Sequence, residues 1–99
     1  MSKTTIRVVA RIVAISDKAE EVKSVLLNII EPTRKEEGCI VFELLENQEN
    51  HTDFTFVEEW ESQELWSNHM ASVHIAQAVS QLNGLLAAEL DIRTYRLLA

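Results

Sequence analysis

Histidine, glutamate and aromatic residues converge in two stretches, Val57-Glu58-Glu59-Trp60-Glu61-Ser62 and His69-Met70-Ala71-Ser72-Val73-His74. The first reads as a strand ending on an aromatic residue and the second as part of a short helix, an arrangement that places a base, His69, beside an apolar pocket. Imidazole, with a reference pKa of about 6.5, accepts and returns protons near neutral pH. The plainer role for His69 is a helix-end histidine that only bonds a neighbouring backbone group. Glu58 interrupts the otherwise apolar row Phe54, Phe56 and Trp60. If it is buried there, its pKa rises and it becomes a second acid or base. A salt bridge to an arginine is the plainer alternative.

Strand parity makes Phe42, Phe56 and Trp60 candidate aromatic walls of such a pocket, although plain hydrophobic core is the favoured reading for Phe56. A buried Trp60 needs a partner for its indole N–H, and a polar ligand atom would supply one. Trp66 either covers the pocket or packs the short helix, and packing is expected; His74 is a further substrate-binding candidate. Glu59, on the opposite strand face, is expected to pair with Arg7 or Arg11. His69 and His74 stand about 140° apart if one helix carries both, and Ser72 is expected to break that helix, so they are read as poorly placed to share a metal ion. Nucleotide-dependent and redox-dithiol chemistry lack support, since the sequence holds no P-loop and no Cys-x-x-Cys.

With 99 residues the chain is read as one domain, 1–99. A domain of this size buries only about 60 to 65% of its unfolded surface, so a partner is expected to add stability. The net charge is −7 and no basic cluster is longer than Arg34-Lys35, which argues against binding a phosphate backbone. Cys39 is the single cysteine; an intrachain disulfide is excluded and a reducing compartment is the simpler reading. No segment approaches the roughly 18 apolar residues of a membrane span. Arg7 and Arg11 interrupt the apolar N-terminal run, against a signal peptide. A cytoplasmic location is expected.

The elements that must position these residues follow from periodicity. Ile6 to Ile15 alternates as a strand, with Ile6, Val8, Ala10 and Ile12 on one face. Val9 and Val13 on the other face suggest that it too is covered, for instance by a second copy. Asp17 and Glu20 have capping-box spacing, and Val22, Val25, Leu26, Ile29 and Ile30 form a helical stripe. Pro32 either kinks that helix or stops and restarts it before Gly38. Cys39–Glu46 and Phe54–Glu61 read as an antiparallel pair joined by a long polar loop, Asn47 to Asp53, with Ile40, Phe42 and Leu44 sharing a face. Ser62 and Ser72 precede two helices, and Gly84 ends the second. Glu89 to Leu97 closes the chain as a strand whose apolar parity slips, implying a bulge or a change of burial. The order is β-α-β-β-α-β, the pattern of the α+β ferredoxin-like split βαβ fold with an antiparallel sheet.

With the elements placed, Glu36-Glu37-Gly38-Cys39-Ile40-Val41-Phe42-Glu43, Val57 to Ser62 and His69 to His74 resemble three signatures of the antibiotic-biosynthesis-monooxygenase-like family, closest to its small quinol monooxygenases. The resemblance covers nearly the whole chain in order and spacing. It implies a dimeric α+β barrel: a homodimer whose uncovered sheet faces pack together, with a pocket in each subunit between sheet and helices. It also implies oxygenation of phenols or quinols by dioxygen without flavin or metal, although relatives degrade haem or isomerise a phosphorylated metabolite. Val73 and Ile75 depart from the proline and phenylalanine frequent in the family. Haem chemistry is disfavoured because Val79 occupies the position of an iron-binding histidine.

Cofactor-free oxygenation requires a base and a dry pocket, since a phenolate or quinolate gives an electron to dioxygen more readily than the neutral form. The resemblance supports His69 as that base, with Arg34, Arg93 or backbone N–H groups as candidates to stabilise the anion. The reading is a cofactor-independent monooxygenase of a small aromatic quinol or phenol, with no cofactor and no metal. A non-catalytic small-molecule-binding dimer and an isomerase of a phosphorylated metabolite are its rivals.

Overall fold

The computed structural model describes residues 5–99. In chain order its elements are β1 (Ile6–Val13), α1 (Ala19–Asn28), α2 (Ile30–Arg34), β2 (Cys39–Asn47), β3 (Asn50–Trp60), α3 (Gln63–Met70), α4 (Val73–Leu82) and β4 (Asp91–Tyr95). The strands pair antiparallel in the order β2-β3-β1-β4. This is the ferredoxin-like α+β arrangement expected from the order of elements.

Alternation along the central strands divides the sheet into two faces. Val8, Ala10 and Ile12 of β1 and Phe54, Phe56, Glu58 and Trp60 of β3 are buried on the helix-covered face. There they meet Val22, Leu26 and Ile29 from the α1 stripe and Ala78 and Leu82 from α4. Val9, Val13 and Val57 lie half-buried on the opposite face. Arg7 lies 3.5 Å from Glu59 on that face, one of the two pairings expected, while Arg11 pairs with Asp53 at 2.9 Å.

The local geometry departs from the sequence expectation at four places and decides between the two alternatives at Pro32. Asp17 does not cap α1; one turn of 3-10 helix, Ser16–Lys18, leads into it, and neither segment carries a side-chain cap bond. Pro32 stops and restarts the helix, with the break at Ile29, because it has no N–H for the carbonyl of Asn28. Ile40 does not share the face of Phe42: pairing jumps from Cys39↔Trp60 to Val41↔Glu59. Ile40 is therefore the extra residue of a bulge and stands 48% exposed.

The stretch Asn47 to Asp53 is not a long loop. β3 begins at Asn50 and pairs with Asn47, leaving only Gln48 and Glu49 in the turn. Its polar side chains are used inside the hairpin: Asn47 Nδ2 donates to Asp53, and Asn50 Oδ1 accepts from the N–H and hydroxyl of Thr52. β4 is shorter than expected and pairs with β1 without a register shift, so its parity slip is a change of face and not a bulge. Ile92 opposes the buried Ala10, and Tyr95 opposes Arg7 on the other side.

Candidate active site

Between the covered sheet face and helices α1, α3 and α4 lies a cavity of about 100 Å³. Among the described residues its wall is apolar except for two, Glu58 and His69. Phe42 and Phe56 form part of the wall and stack with centroids 4.8 Å apart. Trp60 and His74, candidates to contact substrate, do not line it, and Trp66 packs against the core as expected and does not cover it.

Glu58 reaches the cavity because even-numbered residues of β3 point to the covered face. It is 4% exposed. Burial pushes its carboxyl pKa up to about 7, against the lowering effect of the Trp60 hydrogen bond and with a further push from Glu36. That bond runs from Trp60 Nε1 to Glu58 Oε1 at 2.8 Å. The indole is thus satisfied by the protein, and among the described residues Glu58 has no arginine partner.

His69 sits in the last turn of α3, where three local features fix it. Ser62 caps the helix by accepting the N–H of Leu65. Gly38, at φ 87°, lies so close to Leu65 that an added Cβ would fall 2.5 Å from Leu65 Cδ1. Ser72, which makes no cap bond for α4, donates its hydroxyl to the His69 carbonyl at 2.7 Å. The imidazole is 2% exposed and lies against Trp60, with centroids 4.6 Å apart, and the edge of Phe42. Burial lowers its pKa from the usual value, and the carboxylate of Glu36 opposes this only in part. Burial at this site therefore favours the neutral imidazole.

Glu36 was part of a recognised signature but had no assigned role. Its Oε2 lies 2.7 Å from His69 Nδ1 and 2.9 Å from His74 Nε2. His74 Nε2 is also 3.1 Å from Thr33 Oγ1. The break at Ser72 that was expected to separate the histidines instead turns α4 back, so that rings on two helices meet one carboxylate. His69 Nε2 makes no hydrogen bond among the described residues.

Glu36, His69 and His74 offer ligand atoms within 4.8 Å of one another. Ligands about 2.1 Å from one zinc-like ion are at most about 4.2 Å apart, so so wide a set must tighten to hold one. The contacts at 2.7 and 2.9 Å are hydrogen-bond distances, and the geometry fits bonds better than an ion. Neither candidate arginine enters the wall: Arg34 donates twice to the Phe42 carbonyl, and Arg93 bonds Asp91 and opposes Val9.

Residues 5–81 match the model of the family described as antibiotic biosynthesis monooxygenase. The chain belongs to this family. A crystal structure of a conserved protein from Methanosarcina mazei Go1, 34% identical, superposes with a TM-score of 0.89 over 96% of this chain and 94% of that one. PA3566 of Pseudomonas aeruginosa, 23% identical, shares the fold at a TM-score of 0.92, covering 100% of this chain and 99% of that one. A structure named a putative antibiotic biosynthesis monooxygenase, from Nitrosomonas europaea, shares it at 0.91 with 18% identity, over 97% and 92% of the two chains. The uncharacterized protein sll1783 of Synechocystis is 30% identical over 82% of this chain. The chain spans 55% of the length of that relative. Within the antibiotic biosynthesis monooxygenase family, then, this chain supplies the shared fold with a cavity whose polar groups are one carboxyl and one imidazole. Among the described residues, no helix is long and apolar enough to cross a membrane.

Sequence reasoning also missed Met70 and Val79 as wall residues, whereas Ile75, a wall position by the resemblance, does line the cavity. The helical spacing of Ile75, Val79 and Leu82 was visible, but it marks a buried stripe without saying whether a cavity lies beneath it. Glu36 had no periodic signal, because it lies in the turn between α2 and β2.

Proposed function

We propose that the protein is a cofactor-independent monooxygenase that oxidises a small aromatic quinol or phenol with dioxygen. The observation that carries this reading is the apolar cavity whose only polar wall residues are a neutral imidazole and a carboxyl with a pKa of about 7.

His69 Nε2 takes the proton of the substrate hydroxyl. A phenol of pKa about 10 losing a proton to an imidazole of about 6.5 is uphill by about 5 kcal/mol, and the lowered pKa of His69 adds to that. The compensation falls to Glu58: in its protonated form, with Oε1 bonded to Trp60, it donates its own proton as a hydrogen bond to the anionic oxygen. Such a bond is strong in a dry, apolar site.

The anion then gives one electron to dioxygen, and the resulting radical pair joins as a carbon–oxygen bond. The proton on His69 returns to the peroxide; the hydrogen on the oxygenated ring carbon then leaves as a proton, its electron pair forms the new C=O as the O–O bond breaks, and the departing hydroxide takes up that proton as water. For a hydroquinone the balance is quinol plus dioxygen to hydroxyquinone plus water. The cavity is smaller than the roughly 150 Å³ that accommodates benzene, so admission of a ring requires the wall to yield. Met70, Val79 and Ile92, partly exposed at the wall, form the side that opens. A second copy covering the half-buried valines of the outer sheet face belongs to the same reading.

Oxygen uptake with a panel of quinols tests it, with one dioxygen consumed per hydroxyquinone formed. Binding without uptake above the autoxidation rate would favour the second reading, a non-catalytic small-molecule binder, which the almost wholly apolar wall also suits. The phosphorylated-metabolite isomerase finds no support, because no lysine or arginine among the described residues lines the cavity.

A further inference from the structure

We propose that Glu36 is a positioning residue: held between two imidazoles, it keeps the proton of His69 on Nδ1 and so leaves Nε2 as the proton acceptor, while His74 and Thr33 hold Glu36 in place. This rests on the reading of His69 as the base and names the residues that make it one.

The argument is one of donors and acceptors. An ionised carboxylate only accepts hydrogen bonds. The two ring nitrogens beside Glu36 Oε2, His69 Nδ1 at 2.7 Å and His74 Nε2 at 2.9 Å, must therefore both carry hydrogen. A neutral imidazole has a single N–H, so His69 Nε2 holds a lone pair. It makes no hydrogen bond among the described residues, and His69 lines the cavity. His74 Nε2–H is shared with Thr33 Oγ1 at 3.1 Å, and Thr33 is fully buried. The Glu36 backbone N–H is itself held by the Thr33 carbonyl at 3.0 Å. When His69 takes the substrate proton, the new imidazolium already faces a carboxylate. An orienting carboxylate does the same for the imidazole of a serine hydrolase. The proton does not pass on through Glu36, since leaving from Nδ1 would strand His69 in the wrong tautomer; it returns from Nε2.

The ionisable groups facing His69 are Glu36 from the α2–β2 turn, His74 from α4 and Glu58 across the cavity from β3; Arg34 of α2 is held on the Phe42 carbonyl.

Nitrogen-15 NMR of histidine-labelled protein reads the tautomer without any substrate. Wild type is expected to show His69 protonated at Nδ1. Glu36→Leu removes the acceptor and should move His69 toward the Nε2–H form. Its kcat on a quinol substrate should fall by on the order of 10²- to 10⁴-fold with little change in KM. Glu36→Gln can place an amide oxygen at the same point, so it should keep both the fold and the tautomer. Having lost the charge that supports the imidazolium, it should shift the acid limb of kcat/KM to lower pH. A wild-type His69 found as the Nε2–H form overturns the proposal, and so does Glu36→Leu with unchanged tautomer and kcat. The expected tautomer in a protein that oxidises no quinol supports the positioning role and overturns the reaction assigned to it.

Discussion

Trp60 donates its indole N–H to Glu58, two residues earlier on the same strand face, across 2.8 Å. The bond satisfies two buried groups at once, yet it does not repay the burial of a carboxylate, because the pKa of Glu58 still stands at about 7. An unfolded glutamate ionises near 4.5. Between those values the folded chain binds more protons, so this group makes stability fall as pH rises from about 4.5 to about 7 and stay lowered above that. The difference amounts to roughly 3 kcal/mol. Glu58→Gln, whose carbonyl can still accept from Trp60, should therefore be more stable than wild type at pH 8 by up to that amount. At pH 4.5 it should have no such advantage. Urea unfolding at fixed protein concentration checks this, and an equal difference at both pH values would remove the titration of Glu58 as its cause.

Activity on a quinol should show two limbs. His69 must be neutral, so the rate rises with pH through a pKa below the usual histidine value. Glu58 must be protonated, so the rate falls again through about 7. His69→Ala should lose about 10²- to 10⁴-fold in rate and the acid limb with it. Glu58→Gln should lose the alkaline limb. A profile that keeps rising above pH 8 would show that Glu58 does not act as an acid.

The hydrogen-bonded reading of Glu36, His69 and His74 predicts that dialysis against a chelator leaves the rate unchanged. Loss of activity restored by a divalent metal would assign the three side chains to an ion instead.

Dimerisation is testable through Val9, half-buried on the outer sheet face between Val57 and Arg93. Wild type should sediment as a dimer at micromolar concentration. Val9→Asp should dissociate it and unfold the chain together. A stable wild-type species of 11.3 kDa would count against the barrel.

Gly38→Ala should destabilise the fold by about 1–3 kcal/mol from backbone strain alone. The cost should be greater if Leu65 cannot move, since the new Cβ would fall 2.7 Å from Leu65 Cβ. The substitution pushes on the start of α3, so the rate should fall as well; an unchanged urea midpoint would show that the turn adapts freely.

Local pattern determined much of this protein. Alternation in β1 and β3 assigned Val8, Ala10, Phe56, Glu58 and Trp60 to one face, and the helical stripe of α1 set the layer above them. Those signals are legible because side-chain direction follows from strand and helix geometry alone. Polar side chains that bond within a hairpin look like a loop from composition, and so Asn47 to Asp53 misled. The bulge at Ile40 was equally hidden, because one unpaired residue changes register without changing the pattern around it. The meeting of Glu36, His69 and His74 belonged to the tertiary structure entirely. It depends on the path of the chain through Gly38 and around Ser72, which carries side chains from the α2–β2 turn and two helices to one point. No spacing along the sequence encodes that convergence, because the distance between helices is set by what packs between them.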